Sequence, residues 1–414
     1  MATTVQQPAP APTAAPTAIV VRPASSPNRP ARTPTLLRTA AAAVAALAVV
    51  AAIAIAITTV GRTAAVGRLA DSTAAVSTAT GDAAAGFAQA DAEAATLAVA
   101  PDDATELRYL QGLATGTNDL ERAARLTRLG EAAEAPIRRA LRSIEAYAAD
   151  VTRAQDAAAA GTADVPAAQR ARATMTNLIR ANTERAGNVH DEAVRADAAS
   201  LRDGRVTTAL VTLVPLIALV LLLVALQVLL ARRFRRLVNV PLVLATVLAL
   251  AITVRTGDVQ QRQSNRVAEA VSGPYATSQL LTEARVRAFE ADGGRRSTGA
   301  TTPAADAALS AAVSAAAQAS PDHAAALTAA LQSYRGARTG SAADTGQPGG
   351  PTSRFNVLDA ELLTARADAG DAFASTVNAA RSGQTTHAWL APVALALVAG
   401  LAALGLQRRL AEYR

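Results

Sequence analysis

Two uncharged apolar stretches, residues 206–231 and 237–254, are separated by only five residues, Arg232-Arg233-Phe234-Arg235-Arg236. A helix rises about 1.5 Å per residue, so each stretch is about long enough to cross a hydrocarbon core of about 30 Å. Four guanidinium groups packed between two such stretches do not sit in hydrocarbon, so they mark a tight turn at a membrane face. Positive charge in short loops stays in the cytoplasm. The turn, 232–236, is therefore expected to be cytoplasmic, and it sets the topology of the rest.

Two further stretches fit a span. Residues 39–61 follow Arg38 and precede Arg62, and residues 388–406 precede Arg408 and Arg409. The expected plan is a disordered Pro/Ala-rich cytoplasmic tail (1–38), span one (39–61), an extracytoplasmic helical bundle (62–205), span two (206–231), the Arg turn, span three (237–254), a second bundle (255–387), span four (388–406) and a cytoplasmic end (407–414). This is an all-α integral membrane protein of the plasma membrane, with both termini inside. The architecture is doubled, with no residue-level repeat evident.

The charge map agrees with that plan. The net charge is +7, which invites a nucleic-acid reading. Yet the region 62–205 carries 17 Arg against 20 acidic residues and the region 255–387 carries 12 against 12. All the excess charge lies in the tail, the Arg turn and the C-terminal segment, where the membrane rule wants it. No nucleic-acid partner is expected; membrane lipids are, at Arg232, Arg233, Arg235, Arg236, Arg408 and Arg409, which could also contact a partner.

Helical periodicity runs through both polar regions. Val66, Leu69, Thr73, Val76, Thr80, Ala83, Phe87, Ala90, Ala94 and Leu97 recur at three-four spacing, a seam of small residues continuous with span one. Pro101-Asp102-Asp103 ends that helix and suits the start of the next, where the helix dipole favours acids. Ile137, Leu141, Ile144, Ala148 and Val151 mark another helix, and Phe355, Leu358, Leu362, Ala369, Phe373, Val377 and Ala380 a helix feeding span four. Residues 336–353 read as a Gly/Ser/Pro linker. Pro215 inside span two is expected to kink it and is the candidate hinge. Ala396 and Gly400 suggest a small-residue contact face on span four, while Gln227 and Asn239 are placed to hydrogen-bond between spans.

Nothing in the chain carries chemistry. It has no Cys and all 40 basic residues are Arg, which excludes thiol catalysis, disulfides and every lysine-dependent phosphate or Schiff-base mechanism. The only histidines are His190, His323 and His387. His190-Asp191-Glu192 lacks metal-ligand spacing and reads as solvated helix surface. No catalytic, cofactor-binding or metal-ligating residue is assigned, and no enzyme is expected.

The segment RRFRRLVNVPLVLATVLALAI at 232–252 resembles the central turn and third span of an actinobacterial four-span membrane protein family. ADAEAATLAVAP at 90–101, EARVRAFEAD at 283–292 and RFNVLDAELLTARADAGDAFAS at 354–375 are similar to other parts of it. The resemblance implies a relay, in which a glutamine/amino-acid-binding lipoprotein docks outside and a protein kinase G-type Ser/Thr kinase responds inside. A structural or accessory envelope protein and a direct small-molecule sensor remain open, as does assembly into a homo-oligomer.

Overall fold

The computed structural model describes residues 32–99, 101–127, 131–162, 164–234, 239–298, 301–338 and 350–411. The tail up to residue 31, Arg235, Arg236 and most of the 336–353 linker lie outside the described residues.

Helix α1 (Arg32–Arg68) runs through a π-turn at Leu69–Thr73 into α2 (Ala74–Leu97). Three shorter helices follow: α3 (Asp103–Leu126), α4 (Glu134–Ala159) and α5 (Val165–Thr174). A second π-turn, Met175–Arg180, joins α5 to the long α6 (Ala181–Phe234). The second half repeats the plan. Helix α7 (Val240–Ala270) passes a π-turn at Val271–Tyr275 into α8 (Ala276–Thr298). Then come α9 (Pro303–Ala319), α10 (Ala324–Arg338) and the 61-residue α11 (Pro351–Ala411). No strand occurs among the described residues. Four helical runs are long and apolar enough to cross a membrane, lying within Thr35–Leu97, Val165–Arg232, Val240–Arg296 and Ala388–Arg408.

Local chemistry explains the boundaries. Asp102 caps α3 by accepting the Thr105 backbone N–H at 2.9 Å. The Thr105 hydroxyl donates to the same carboxylate and, with the backbone N–H bonds and the Arg108 charge, holds its pKa below the usual value against the opposing effect of burial. Asp164 caps α5 in the same way, 2.9 Å from the Ala167 N–H, with Pro166 in the first turn. Gly161 ends the chain after α4 at φ +72°, a left-handed conformation that glycine adopts freely.

The apolar seam reads through to the packing. Of the ten seam positions on α1 and α2, all but Thr73 are buried. Val76, Phe87, Tyr109, Ile137, Tyr147 and Met175 belong to one buried cluster. Leu281, Phe289, Val313, Leu327, Phe355 and Leu358 belong to another. A third cluster joins the spans, with Val44, Leu219, Ala245 and Leu395 at its centre. Backbones approach closely where α2 meets α3: a Cβ at Gly86 would lie 2.6 Å from the Gly116 nitrogen.

Several expectations need correction. Residues 32–38, expected in the disordered tail, already belong to α1, and Leu37 is buried among the apolar helices. The buried stripe of α4 is Ile137, Ala140, Tyr147, Val151 and Ala154, so the register is set partly by an aromatic the spacing had skipped. Ala396 and Gly400 are exposed, and nothing lies within 4 Å of a Cβ at Gly400. Span four instead packs through Ala391, Leu395, Val398, Ala402 and Leu406. His190 is not solvated; it is 5% exposed, and burial lowers its pKa.

Candidate functional site

The site most suited to carry a change of state is the junction where the helices leave the apolar spans. The spans themselves contain little polarity: Gln227 donates to the Leu242 carbonyl at 3.0 Å and to Thr246 at 2.7 Å. Asn239 donates to the Gly405 carbonyl at 3.1 Å. Both are the interhelical bonds expected of them.

Polarity gathers at the other end of the spans. Arg62, the first charged residue after the apolar run of α1, is 7% exposed. Its Nε donates to Gln263 at 2.8 Å and its Nη2 to Ser264 at 2.7 Å, both on α7. One turn earlier on α7, Gln260 donates to Thr212 on α6 at 3.1 Å. Burying a guanidinium is tolerable only with such partners, so Arg62 specifies which residues of α7 face α1.

Further along, the π-turns bring a second network together. A π-turn inserts a residue into the helix and re-aims the side chains after it. The turn at Val271–Tyr275 places the Tyr275 hydroxyl 2.6 Å from the Asp191 carboxylate of α6. Ser77 of α2 donates to the same carboxylate oxygen at 2.5 Å, and Gln279 of α8 donates to Ser77 at 2.9 Å. Burial, then the Asp191 charge, pushes the Tyr275 phenol far above its ordinary pKa, so it remains a donor. The Tyr275 ring packs on Phe373 of α11, centroids 5.7 Å apart. Four long helices thus meet at one tyrosine. A groove of about 1100 Å³, lined by Thr80, Asn188, Arg195 and Tyr275, opens beside it.

The two halves pair in register. Arg62 and Ser264 are 202 residues apart, as are Ser77 and Gln279. At the far tips Glu93 and Arg296 are 203 apart, and Arg296 binds Glu93 at 2.7 Å and Asp292 at 2.6 Å. Equivalent positions of the two rods therefore touch at three levels, from the edge of the spans to the tips of α2 and α8. The side chains of Glu93, Asp292 and Arg296 are at most 6% exposed.

The residues singled out from sequence are placed differently. Arg232 ends α6 exposed, and Arg408 is exposed near the end of α11. Arg233 and Arg409 are helical, with side chains outside the described residues, as Arg235 and Arg236 are altogether. Pro215 lies within α6, which is continuous through it. Its counterpart Pro392 in α11 was passed over, although it stands ahead of Arg408 much as Pro215 stands ahead of Arg232. Arg62, Tyr275 and the Glu93–Arg296 pair were also missed. Each breaks a local pattern: an Arg ending an apolar run, a Tyr after Gly-Pro, an acid on an alanine face. Among the described residues no group of three or more His, Cys, Asp or Glu could hold a metal ion.

These features define an all-helical, membrane-like protein with four candidate spans. No protein-family model, no curated protein and no solved structure matches the chain.

Proposed function

We propose that the chain is a transmembrane signal relay of the plasma membrane. Its polar bundles lie outside, and both termini and the Arg turn lie in the cytoplasm. It passes the state of an extracytoplasmic amino-acid-binding lipoprotein to a cytoplasmic Ser/Thr kinase, which reads Arg232, Arg233, Arg235, Arg236 or the Arg408-Arg409 end.

The observation that supports this reading is helix continuity combined with register. The rods α1–α2 and α7–α8 run from span to bundle without a break, and their contacts repeat at an offset of 202 or 203 residues. A partner that prefers one packing of α2 against α8 biases the same contact at Arg62, next to the spans. Tyr275 links that contact to α6 and α11, so all four spans share the bias.

The test is affinity purification from crosslinked native membranes, read by mass spectrometry. Recovery of a solute-binding lipoprotein together with a Ser/Thr kinase is the expected result. Recovery of neither, with transporter or cell-wall proteins instead, would overturn the relay.

A further inference from the structure

The four spans do not share one apolar length, and the mismatch falls on one side of the bundle. Gln227 with Thr246 and Gln260 with Thr212 hold α6 level with α7 near both ends of the spans. On α7 the exposed surface turns charged at Arg255, Asp258 and Arg262. Arg266 of α7 donates to the Ala379 carbonyl of α11 at 2.7 Å. At about 1.5 Å per residue, Arg255 and Trp389 both lie about 15–16 Å from that bond, in the direction of the Arg turn. Trp389 is 80% exposed, as an aromatic at a membrane interface is. The edge of the hydrocarbon is thus marked at one level on α7 and α11.

On α6 the exposed surface stays apolar beyond Thr212, through Val211 and Leu210 to Val206, about 16 Å past the level of Arg255. The 206–231 run spans about 39 Å, against a hydrocarbon core of about 30 Å. A long span normally tilts to hide such an excess. Hydrogen bonds to the shorter apolar run of α7 deny α6 that tilt on its own, so its outer apolar surface calls for a protein cover.

Two outward stripes end on opposite charges. On α1, Ile53, Ile57, Val60 and Ala64 are exposed at three-four spacing, and Arg68 follows on the same face. On α6, Val214, Leu210 and Val206 are exposed at that spacing, and Asp203 follows. Neither the Arg68 nor the Asp203 side chain has a hydrogen bond or ion pair among the described residues. Counted from the Arg62–Ser264 and Gln260–Thr212 bonds, Arg68 and Asp203 stand at the same height, about 14 Å beyond Gln260.

We propose that this face of α1 and α6 is an interface between two copies of the chain, related by a two-fold axis along the membrane normal. Helix α1 of one copy lies against α6 of the other, and Arg68 pairs with the partner's Asp203, twice per dimer. A two-fold interface is self-complementary, and this one keeps every residue at its own height in the bilayer. The overlong apolar edge of one copy therefore meets that of the other, and the cation of one meets the anion of the other. A foreign partner would need the same overlong edge and opposite charges at the same height; a second copy has both. The inference rests on the four runs crossing a membrane, not on the relay or on which side is cytoplasmic.

The experiment uses the absence of cysteine from the chain. Full-length chains carrying Arg68→Cys or Asp203→Cys, each with its own tag, are co-expressed and their membranes oxidised. Each chain then holds one thiol, so a disulfide joining the two tags is intermolecular. The expected yield is several-fold above that of Arg68→Cys with Arg262→Cys, a position exposed on α7 that reports chance collision. Dimer fraction is also read by single-molecule photobleaching in vesicles over a dilution series. Arg68→Asp and Asp203→Arg each weaken dimerisation roughly three- to tenfold, the scale of two exposed ion pairs. The chain carrying both reversals regains wild-type affinity, and circular dichroism checks that each variant is folded. Monomers at every dilution, crosslinking no higher than the Arg262→Cys control, or a double reversal no better than the singles overturns the proposal. Monomers would leave lipid as the cover, and a different chain crosslinked at Arg68→Cys in their place would name a foreign partner.

Discussion

Gly81 on α2 faces Thr282 on α8 across the in-register pair. A Cβ at Gly81 would lie 3.9 Å from the Thr282 Cβ, within the roughly 3.5–4.5 Å that disulfides adopt. The chain has no cysteine, so Gly81→Cys with Thr282→Cys introduces the only two thiols at this contact. The exchange also removes the Thr282 methyl, which would stand 3.1 Å from the new Cβ. The bridge closes a loop of roughly 200 residues, for which chain entropy gives at most about 5 kcal/mol of stabilisation. Purified protein in micelles would be treated with a mild oxidant and run on non-reducing gels. The linked peptides would be identified by mass spectrometry, and the unfolding midpoint read by far-ultraviolet circular dichroism with and without reductant. The expected outcome is a fast intramolecular crosslink, absent from either single variant, and a midpoint that falls on reduction. A double variant that stays reduced, or links only between molecules, would refute the register. If the relay works by shifting α2 against α8, the locked protein also stops transmitting, and reductant restores it.

Four other outcomes follow from the same contacts. Arg296→Met removes the cation that Glu93 and Asp292 share but leaves Glu93 with Arg108 and Asp292 with Arg295 and the Tyr334 hydroxyl, so it should destabilise the tips of α2 and α8 by about 1.5–3 kcal/mol, the scale of a charged hydrogen bond; thermal unfolding should show partial recovery in the Glu93→Gln, Arg296→Met double variant. Gly86→Ala places a methyl 2.6 Å from the Gly116 nitrogen, so a cost of about 1–3 kcal/mol should exceed the roughly 1 kcal/mol gained in helix propensity, and a raised unfolding midpoint would contradict it. Burial is the largest influence on Asp91 and raises its pKa, with Glu290 acting the same way and Arg180 and Arg172 opposing. The folded state thus holds that proton more tightly than the unfolded chain, and this contribution to stability is lost as pH rises through the raised value, so Asp91→Asn should melt higher than wild type at neutral pH. Alkaline-phosphatase and fluorescent-protein fusions at residues 160 and 345 should both report an extracytoplasmic site; a cytoplasmic signal at either one would overturn the proposed topology.

The four apolar runs and several helix starts were legible because they rest on local rules. An apolar run of about twenty residues needs no partner to be recognised, and Asp102, Pro136 and Pro241 sit at or near helix starts for reasons confined to one turn. Which face of α2 is buried was equally legible, since three-four spacing of Val76, Ala83 and Phe87 reports burial directly. What it buries against was not. In an alanine-rich seam every helix offers much the same small side chains, so composition does not distinguish α3 from α8 as the neighbour of α2. That choice is carried by the few residues large or charged enough to be particular: Arg62 with Ser264, Ser77 with Gln279, Glu93 with Arg296.

The same scarcity explains a cavity of about 540 Å³ between α2, α4, α5 and α8. Alanine walls leave space where bulkier residues would close it, and Tyr147 was skipped because Ile144 and Ala148, its neighbours in sequence, fitted an apolar period slightly better. Asp91 looked like an ordinary acid on an alanine helix, the commonest kind of solvated position. Only the arrival of α4 and α8 around it turns that position inward. In a chain built on small residues, a polar group that contradicts its surroundings is held there by a distant element or by a ligand. Arg62, Tyr275 and Arg296 are answered by distant elements, and Asp91 by the charges of Arg180 and Arg172, which line the same cavity.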